Sequence, residues 1–257
     1  MVRNAAALLL AGQLMAAALV AGGSPAFAGP GVVGGVVAPP GKFPWMVRLS
    51  MGCGGALVAP DVVLTAGHCV AGTGPNVAIG VVAGVVDLHA ESRRTAHSVQ
   101  VIRAAGFHDE TRGDDWAVIK IDQRFALPVL PLVRDSGVRG ALVVMGWGQT
   151  REDSMRQVRR LHYASVPAVP DRRCAAEYAQ VGVELVANEQ MCAGRTGVDS
   201  CQGDSGGPMV GRDARGGWVQ VGIVSWGLGC GRVGYPGVYT QITTFRSAIA
   251  RAIRRLS

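Results

Sequence analysis

The 257-residue chain is nearly without lysine: Lys42 and Lys120 are the only two, so 25 basic residues minus these leaves 23 arginines. Eighteen acids offset them to a net charge of +7. No basic block is interleaved with aromatic residues, which make up only 5% of the chain, so no nucleic-acid partner is expected. Charged residues are scarce at 17% against 49% apolar, which excludes bulk disorder and leaves material for one large or two small cored domains. No Cys-x-x-Cys pair occurs, which argues against zinc. After the N-terminal region no uninterrupted apolar run approaches the ~18 residues that would suggest a span. Internal repeats and low-complexity tails are absent. No histidine follows Ser205, an absence that decides the chemistry below.

Residues 1–28 read as a signal peptide. Arg3 supplies a positive start, Ala5 to Ala21 an Ala/Leu/Val run broken only by Gly12 and Gln13, and Ala26-Phe27-Ala28 a small-residue cleavage site. The competing reading is an uncleaved anchor. The interrupted run and its small-residue exit favour removal, hence a secreted, extracellular protein with no membrane association afterwards. An oxidising compartment suits six cysteines forming three disulfides, although six permit 15 pairings and spacing alone does not choose among them.

Glycine, at 37 residues, is roughly twice its average usage, which suits turn-dense β structure. Short apolar or alternating runs recur at Trp45–Leu49, Ala56–Val58, Val62–Thr65, Val81–Val86, Val99–Ala104, Trp116–Ile121, Leu142–Met145, Val219–Val224 and Gly237–Gln241, mostly separated by Gly, Pro or Asp. That is the pattern of an all-β sandwich or barrel. Leu127–Pro131, with two prolines, reads as a link between halves. At the C-terminus Ile242, Phe245, Ile249, Ile253 and Leu256 recur at helical spacing, predicting an amphipathic helix over 242–257 that docks on the barrels or, alternatively, lies on a membrane surface.

Asp199-Ser200-Cys201-Gln202-Gly203-Asp204-Ser205-Gly206-Gly207-Pro208 holds a serine between glycines, a sharp turn that can present main-chain N–H groups beside a hydroxyl. The same letters fit an ordinary Gly-rich surface turn, or the elbow of an α/β-hydrolase. The elbow requires its acid and histidine after the serine, and the five histidines (68, 89, 97, 108 and 162) all precede it. An Asp-His-Ser order is awkward because Asp61 is the only acid before His68. The remaining order is His, Asp, Ser. His68 adjoins Cys69, whose disulfide would hold a general base firmly. Asp115 opens the apolar run Trp116–Ile121 and is favoured over its neighbour Asp114 as a partly buried carboxylate.

At these residues the chain resembles the trypsin-type serine proteases. The likeness rests on Val32-Val33-Gly34-Gly35, Thr65-Ala66-Gly67-His68-Cys69, Asp115-Trp116-Ala117-Val118-Ile119-Lys120, Gly203-Asp204-Ser205-Gly206-Gly207-Pro208 and Val224-Ser225-Trp226-Gly227, all in order. Met46–Leu57 and Glu184–Glu189 are similar to secreted actinomycete trypsins. The resemblance runs from Val32 nearly to the C-terminus. It implies two six-stranded antiparallel β-barrels, about 32–130 and 131–241, with the C-terminal helix after them, and a site in the cleft between. It implies disulfides Cys53–Cys69, Cys174–Cys192 and Cys201–Cys230. His68, Asp115 and Ser205 would form the catalytic triad, and the N–H groups of Gly203 and Ser205 the oxyanion hole, where a side chain on Gly203 would crowd the oxyanion.

The resemblance also implies specificity. Asp199, six residues before Ser205, would floor a pocket for Arg or Lys before the cut bond. Ser200 would assist an ammonium, Ser225 would bind substrate, and Gly227 and Gly237 would leave room for a long side chain. Protein or peptide substrates cut after Arg or Lys, proteinaceous serine-protease inhibitors as partners, and a monomer are expected. A non-enzymatic binder, or an enzyme of other specificity, is disfavoured by the complete triad and by Asp199. Activation would free the α-amino group of Val32 to pair with Asp204, removing a propeptide of residues 29–31 from the peptidase domain 32–257. Because the bond follows Gly31, another protease would make that cut. Gly67 stands where the family usually has Ala, which predicts a slightly less rigid base. No cofactor or metal is assigned. Asp171 and Glu189 could be fragments of a calcium site, but Gln190 and Gln241 stand where acids would help. Arg151, Arg156, Arg159 and Arg160 mark an exposed loop open to autolysis.

Overall fold

The computed structural model describes Met1, residues 32–134 and residues 137–256. Met1 apart, the expected signal peptide (1–28) and propeptide (29–31) lie outside the described residues. The first half holds Val36–Val37 (β1), Met46–Leu49 (β2), Gly54–Ala59 (β3), Val62–Thr65 (β4), Gly74–Pro75 (β5), Gly80–Ala83 (β6), Arg94–Arg103 (β7) and Ala117–Ile121 (β8). The second holds Arg139–Gly146 (β9), His162–Val166 (β10), Ala168–Val169 (β11), Gln190–Ala193 (β12), Pro208–Arg212 (β13), Trp218–Trp226 (β14) and Gly237–Gln241 (β15). Two helices, Asp171–Ala179 (α1) and Ile242–Leu256 (α2), complete it.

The first sheet runs β5-β7-β6-β2-β3-β4-β8, and β8 pairs back onto β7, so six strands close into an antiparallel barrel. β4 is buried along its whole length, as its unbroken Val62-Val63-Leu64-Thr65 suggests. β7 begins well before the expected Val99. Its first half alternates, with Ala96 and Ser98 inward and Thr95 and His97 outward, so outward polar residues masked a period-two strand.

The second sheet, β1-β10-β9-β13-β14-β15-β12-β11, curls round on itself, consistent with the barrel expected. β10 and β11 are separated only by Pro167, which has no N–H for a ladder. One bent segment therefore pairs with β9 on one side and with β12 on the other. β1, within the segment expected for the first barrel, crosses over to β10.

One continuous core fills both sheets. Leu57, Leu64 and Ile119 occupy the first, and Val144, Met209, Ile223 and Tyr239 the second, all fully buried. Each such aliphatic side chain contributes about 1.5–3 kcal/mol on burial. α2 lays Ile242, Phe245, Ile249 and Ala252 against the protein, contacting β8 and β14, which removes the membrane-surface alternative for its apolar face. α1 was not anticipated: its sequence is polar and buries only Cys174 and Tyr178. Disulfide Cys174–Cys192 ties it to β12, and Cys53–Cys69 and Cys201–Cys230 complete the expected pairings. The bridged residues lie 18, 16 and 29 apart. Loops of that size give about 3–4 kcal/mol each in the chain-entropy account.

Candidate active site

The two sheets meet where the Gly203–Gly207 turn crosses the first barrel. Gly54 N–H donates to the Ser205 carbonyl (2.7 Å) and Gly206 N–H to the Val224 carbonyl (2.8 Å), so the backbone around Ser205 is tied to both halves. His68 sits in the 3-10 turn Gly67–Cys69 that ends β4, and the Cys53–Cys69 disulfide fixes its base. Asp115 lies just before β8 and is 1% exposed.

The structure brings His68 and Asp115 together twice. His68 Nδ1 is 2.8 Å from Asp115 Oδ2, and the His68 backbone N–H donates to Asp115 Oδ1 at 2.8 Å. Ser225 Oγ also donates to Asp115 Oδ2 (2.5 Å), and Thr240 Oγ1 to the Asp115 carbonyl (2.8 Å). Asp114, the alternative acid, has a left-handed backbone with φ at 51° and makes no hydrogen bond to His68. Burial, the largest single influence on the His68 imidazole, pulls its pKa down. The hydrogen bond and charge of Asp115, with the charge of Glu110, outweigh it, and the net displacement is upward.

His68 and Ser205 line one cavity of about 270 Å³, together with Asp199, Ser200, Ser225, Gly227 and Gly237. No hydrogen bond joins His68 to Ser205 across it. Such contacts are often long before substrate arrives. Among the described residues the N–H groups of Gly203 and Ser205 have no internal acceptor. The peptide plane before Gly203 is held from behind, because Gln149 N–H donates to the Gln202 carbonyl at 2.8 Å, and in a trans peptide the Gly203 N–H then points the opposite way. Gly203 has φ at 95°, and a Cβ there would stand 2.4 Å from Gln157 Nε2. The left-handed backbone is a reason for glycine here in addition to the expected crowding of an oxyanion.

Asp199 is 1% exposed and accepts from the N–H groups of Ser200 at 2.8 Å and Gly231 at 3.1 Å. Its carboxyl is pushed up to about 7, chiefly by burial and further by the charge of Asp204, against those two N–H groups. No cation pairs with it among the described residues. A Cβ on Gly237 would stand 2.5 Å from Asp199 Oδ1, so the wall beside the carboxylate admits only glycine.

Asp204 is also 1% exposed and accepts from Gly148 N–H (2.8 Å) and Cys201 N–H (2.9 Å). Burial lifts it to about 6, while those bonds and the charge of Arg48 lower it. Val32 is fully buried with φ at 53° and is not hydrogen-bonded to Asp204; in the intact chain its nitrogen is an amide, not an ammonium. Its neighbour Val33 bridges to Asp199, whose N–H donates to the Val33 carbonyl at 3.2 Å.

Sequence reading missed Arg48. From β2 its Nη1 donates to the Gly203 carbonyl (3.0 Å), and its Nη2 to Gln157 Oε1. A lone arginine in the otherwise apolar Met46-Val47-Arg48-Leu49 was the available signal. The space above Gly67 is filled: a Cβ would be 3.1 Å from the Phe107 ring and 3.2 Å from Asp115 Oδ1. Asp171 and Glu189 are the two candidate fragments of a calcium site. Glu189 accepts from Asp114 N–H (3.1 Å), Gln190 is turned toward the 110–111 carbonyls, and neither acid belongs to a cluster of three metal-ligating side chains among the described residues. The one such group there, Cys53, His68 and Cys69, has its two sulfurs in a disulfide, so these donors do not suit a hard cation. Arg151, Arg156, Arg159 and Arg160 are all exposed, with Arg159 paired to Asp87 at 2.6 Å.

Comparison with known proteins agrees with this geometry. The Trypsin family model matches residues 32–249. A trypsin-like protease of Streptomyces glaucescens is 46% identical over 228 residues, covering 88% of this chain and 83% of the relative. A tryptase of Mus musculus is 34% identical over 93% of this chain and 94% of its own, and trypsin alpha of Drosophila melanogaster 32% over 84% and 85%.

Proposed function

We propose, on the premise that this chain belongs to the trypsin family and is a serine endopeptidase, that it cuts after arginine or lysine, is exported, and is activated by cleavage before Val32. The observation that carries the specificity is the buried, unpaired Asp199 in the cavity that Ser205 and His68 share. A carboxylate held out of water without a cation gains most from a ligand that brings one, and a guanidinium offers two parallel hydrogen bonds.

The chemistry follows the mechanism worked out for this family. Ser205 Oγ attacks the carbonyl of the basic residue as His68 takes its proton. The oxyanion accepts from the Gly203 and Ser205 N–H groups. His68 then protonates the leaving amine, the C–N bond breaks, and an ester on Ser205 remains. Water, deprotonated by His68, hydrolyses it. Asp115 keeps the proton on His68 Nδ1 and stabilises the imidazolium. Losing one oxyanion donor would cost about 10²–10³ in turnover.

The decisive assay compares arginyl, lysyl and phenylalanyl amides, with and without a covalent serine inhibitor. Inhibitor-sensitive cleavage of the first two alone is expected, and equal rates on phenylalanine would refute the specificity. The pH dependence adds a second check. Protonation of His68 removes the base, and its raised pKa sets that loss above 6.5. Protonation of Asp199, near 7 in the free enzyme, removes the anion that captures arginine. Thus kcat/KM should fall on the acid side with a two-proton slope, whereas kcat, measured with arginine seated on Asp199, falls with one. A single-proton slope in both would separate Asp199 from binding.

Activation has a local logic. A β-branched residue at φ of 53° is strained, and cutting the bond before Val32 abolishes that torsion. It also creates an ammonium at a fully buried position, and Asp204 is the buried carboxylate it would pair with. N-terminal sequencing of active enzyme should begin at Val32; any other start with full activity would refute this. The signal segment 1–28 supports export, and no helix among the described residues is long and apolar enough to cross a membrane.

A further inference from the structure

A second acid shares the cavity. Glu110, in the 3-10 turn Glu110–Arg112, lines the same space as Asp199, His68, Ser205 and Trp226. The turn packs against β14, the strand that ends in Trp226, and Glu110 is near enough to His68 for its charge to raise the imidazole pKa. Its side chain is half-exposed and has no hydrogen-bond or ion-pair partner among the described residues. The cation on its own turn, Arg112, is taken by Asp109 at 3.1 Å.

The turn is also held still. Asp109 Oδ1 accepts from Thr111 N–H (3.0 Å). From the second half of the chain, buried Gln190 donates through Nε2 to the carbonyls of Glu110 and Thr111, both at 3.2 Å, while its Oε1 accepts from Val186 N–H (2.9 Å). Glu189 accepts from Asp114 N–H at the far end of the same loop (3.1 Å). Opposite, Trp226 is backed edge-to-face by Tyr178, with ring centroids 4.9 Å apart. An unpaired carboxylate on a braced turn and a supported indole bordering one cleft are the two elements that hold a cation, by charge and by ring face.

We propose that Glu110 forms a second cation subsite, so that the preferred substrates are polybasic segments with another Arg or Lys among the three residues preceding the cleaved basic residue. This rests on the Arg/Lys reading of Asp199. The acyl part of the substrate stays with the walls of the Asp199 pocket, where Trp226 and Glu110 stand. The leaving part exits beyond Ser205, where Arg48 supplies the opposite charge.

Quenched fluorescent decapeptides with one arginine at the cut site test this, each carrying a second arginine or an alanine at one of the three preceding or three following positions. Every kcat/KM is divided by the same enzyme's value on the single-arginine peptide, so changes in folding or in His68 cancel. In the parent a preceding arginine should raise the ratio about 5–20-fold, shrinking in 0.5 M salt as expected for a partly exposed pair. In Glu110→Gln the ratio should fall toward one, and in Glu110→Lys below one. A gain that persists unchanged in Glu110→Gln, no gain in the parent, or a gain only at following positions overturns the subsite while leaving Asp199 intact. Failure of the parent to cut the single-arginine peptide overturns both readings.

Discussion

Ser205→Ala is expected to lower turnover of an arginyl amide by about 10⁶-fold while leaving the fold unchanged. The hydroxyl makes no hydrogen bond among the described residues, and the turn that carries it is held by main-chain bonds to Gly54 and Val224. Removing Oγ therefore deletes the nucleophile without orphaning a partner. The Gly203 and Ser205 N–H groups and the Asp199 pocket remain, so a residual rate about 10³–10⁴ above water should persist, and KM should change little. Thermal melting checks the fold and steady-state kinetics the rate. A loss below tenfold would remove Ser205 from the chemistry, whatever the rest of the cleft does.

Asp199→Ser should abolish detectable cleavage after arginine and lysine while Ser205 still reacts with a small organophosphate. Breaking one side of a buried ion pair costs about 3–5 kcal/mol, or roughly 10²–10³·⁵ in kcat/KM, because the substrate guanidinium is then desolvated without an anion. Unchanged arginine kinetics would refute the pocket. Stability gives an independent reading. Asp199 titrates near 7 when folded against an ordinary 3.8, so the native state binds the extra proton between those values, and stability is lost as pH rises through that window. The shift of about 3 units corresponds to roughly 4 kcal/mol of burial cost fully present only above pH 7. The substitution removes that cost but orphans the Ser200 and Gly231 N–H groups, a penalty of about 1–3 kcal/mol each at any pH. The melting temperature of the variant relative to the parent should therefore rise from pH 5 to pH 8. An amidine ligand should raise the melting temperature of the parent but not of the variant.

Much of the cleft was legible because its chemistry depends on residue type and order. The absence of histidine after Ser205 eliminated one nucleophile architecture before any coordinate was known. The apolar run opened by Asp115 favoured that acid over Asp114, and the structure pairs it with His68 at 2.8 Å. The strands read most cleanly, Val62–Thr65 and Gly237–Gln241, match β4 and β15 residue for residue; Pro60-Asp61 and Ala66-Gly67 bound the first, and Pro236 precedes the second. α1 and the first half of β7 were missed because their burial patterns are dominated by exposed polar side chains. Arg48 and Gln149 were missed for another reason: each acts on Gly203 or its preceding peptide through a main-chain carbonyl, and a carbonyl carries no residue identity to read.

Composition, order and periodicity determined an all-β chain with a C-terminal helix and the His-Asp-Ser order, because these reside in local pattern and in residue chemistry, while the candidate pocket acid came from the resemblance to the trypsin-type proteases. Only the tertiary structure decided that Asp199 is buried without a cation, that one strand bends at Pro167 to pair on both sides, and that Gln190 braces the turn carrying Glu110 against the same cleft. Those facts join residues dozens of positions apart. They follow from where the packed chain returns, and no window of sequence records it.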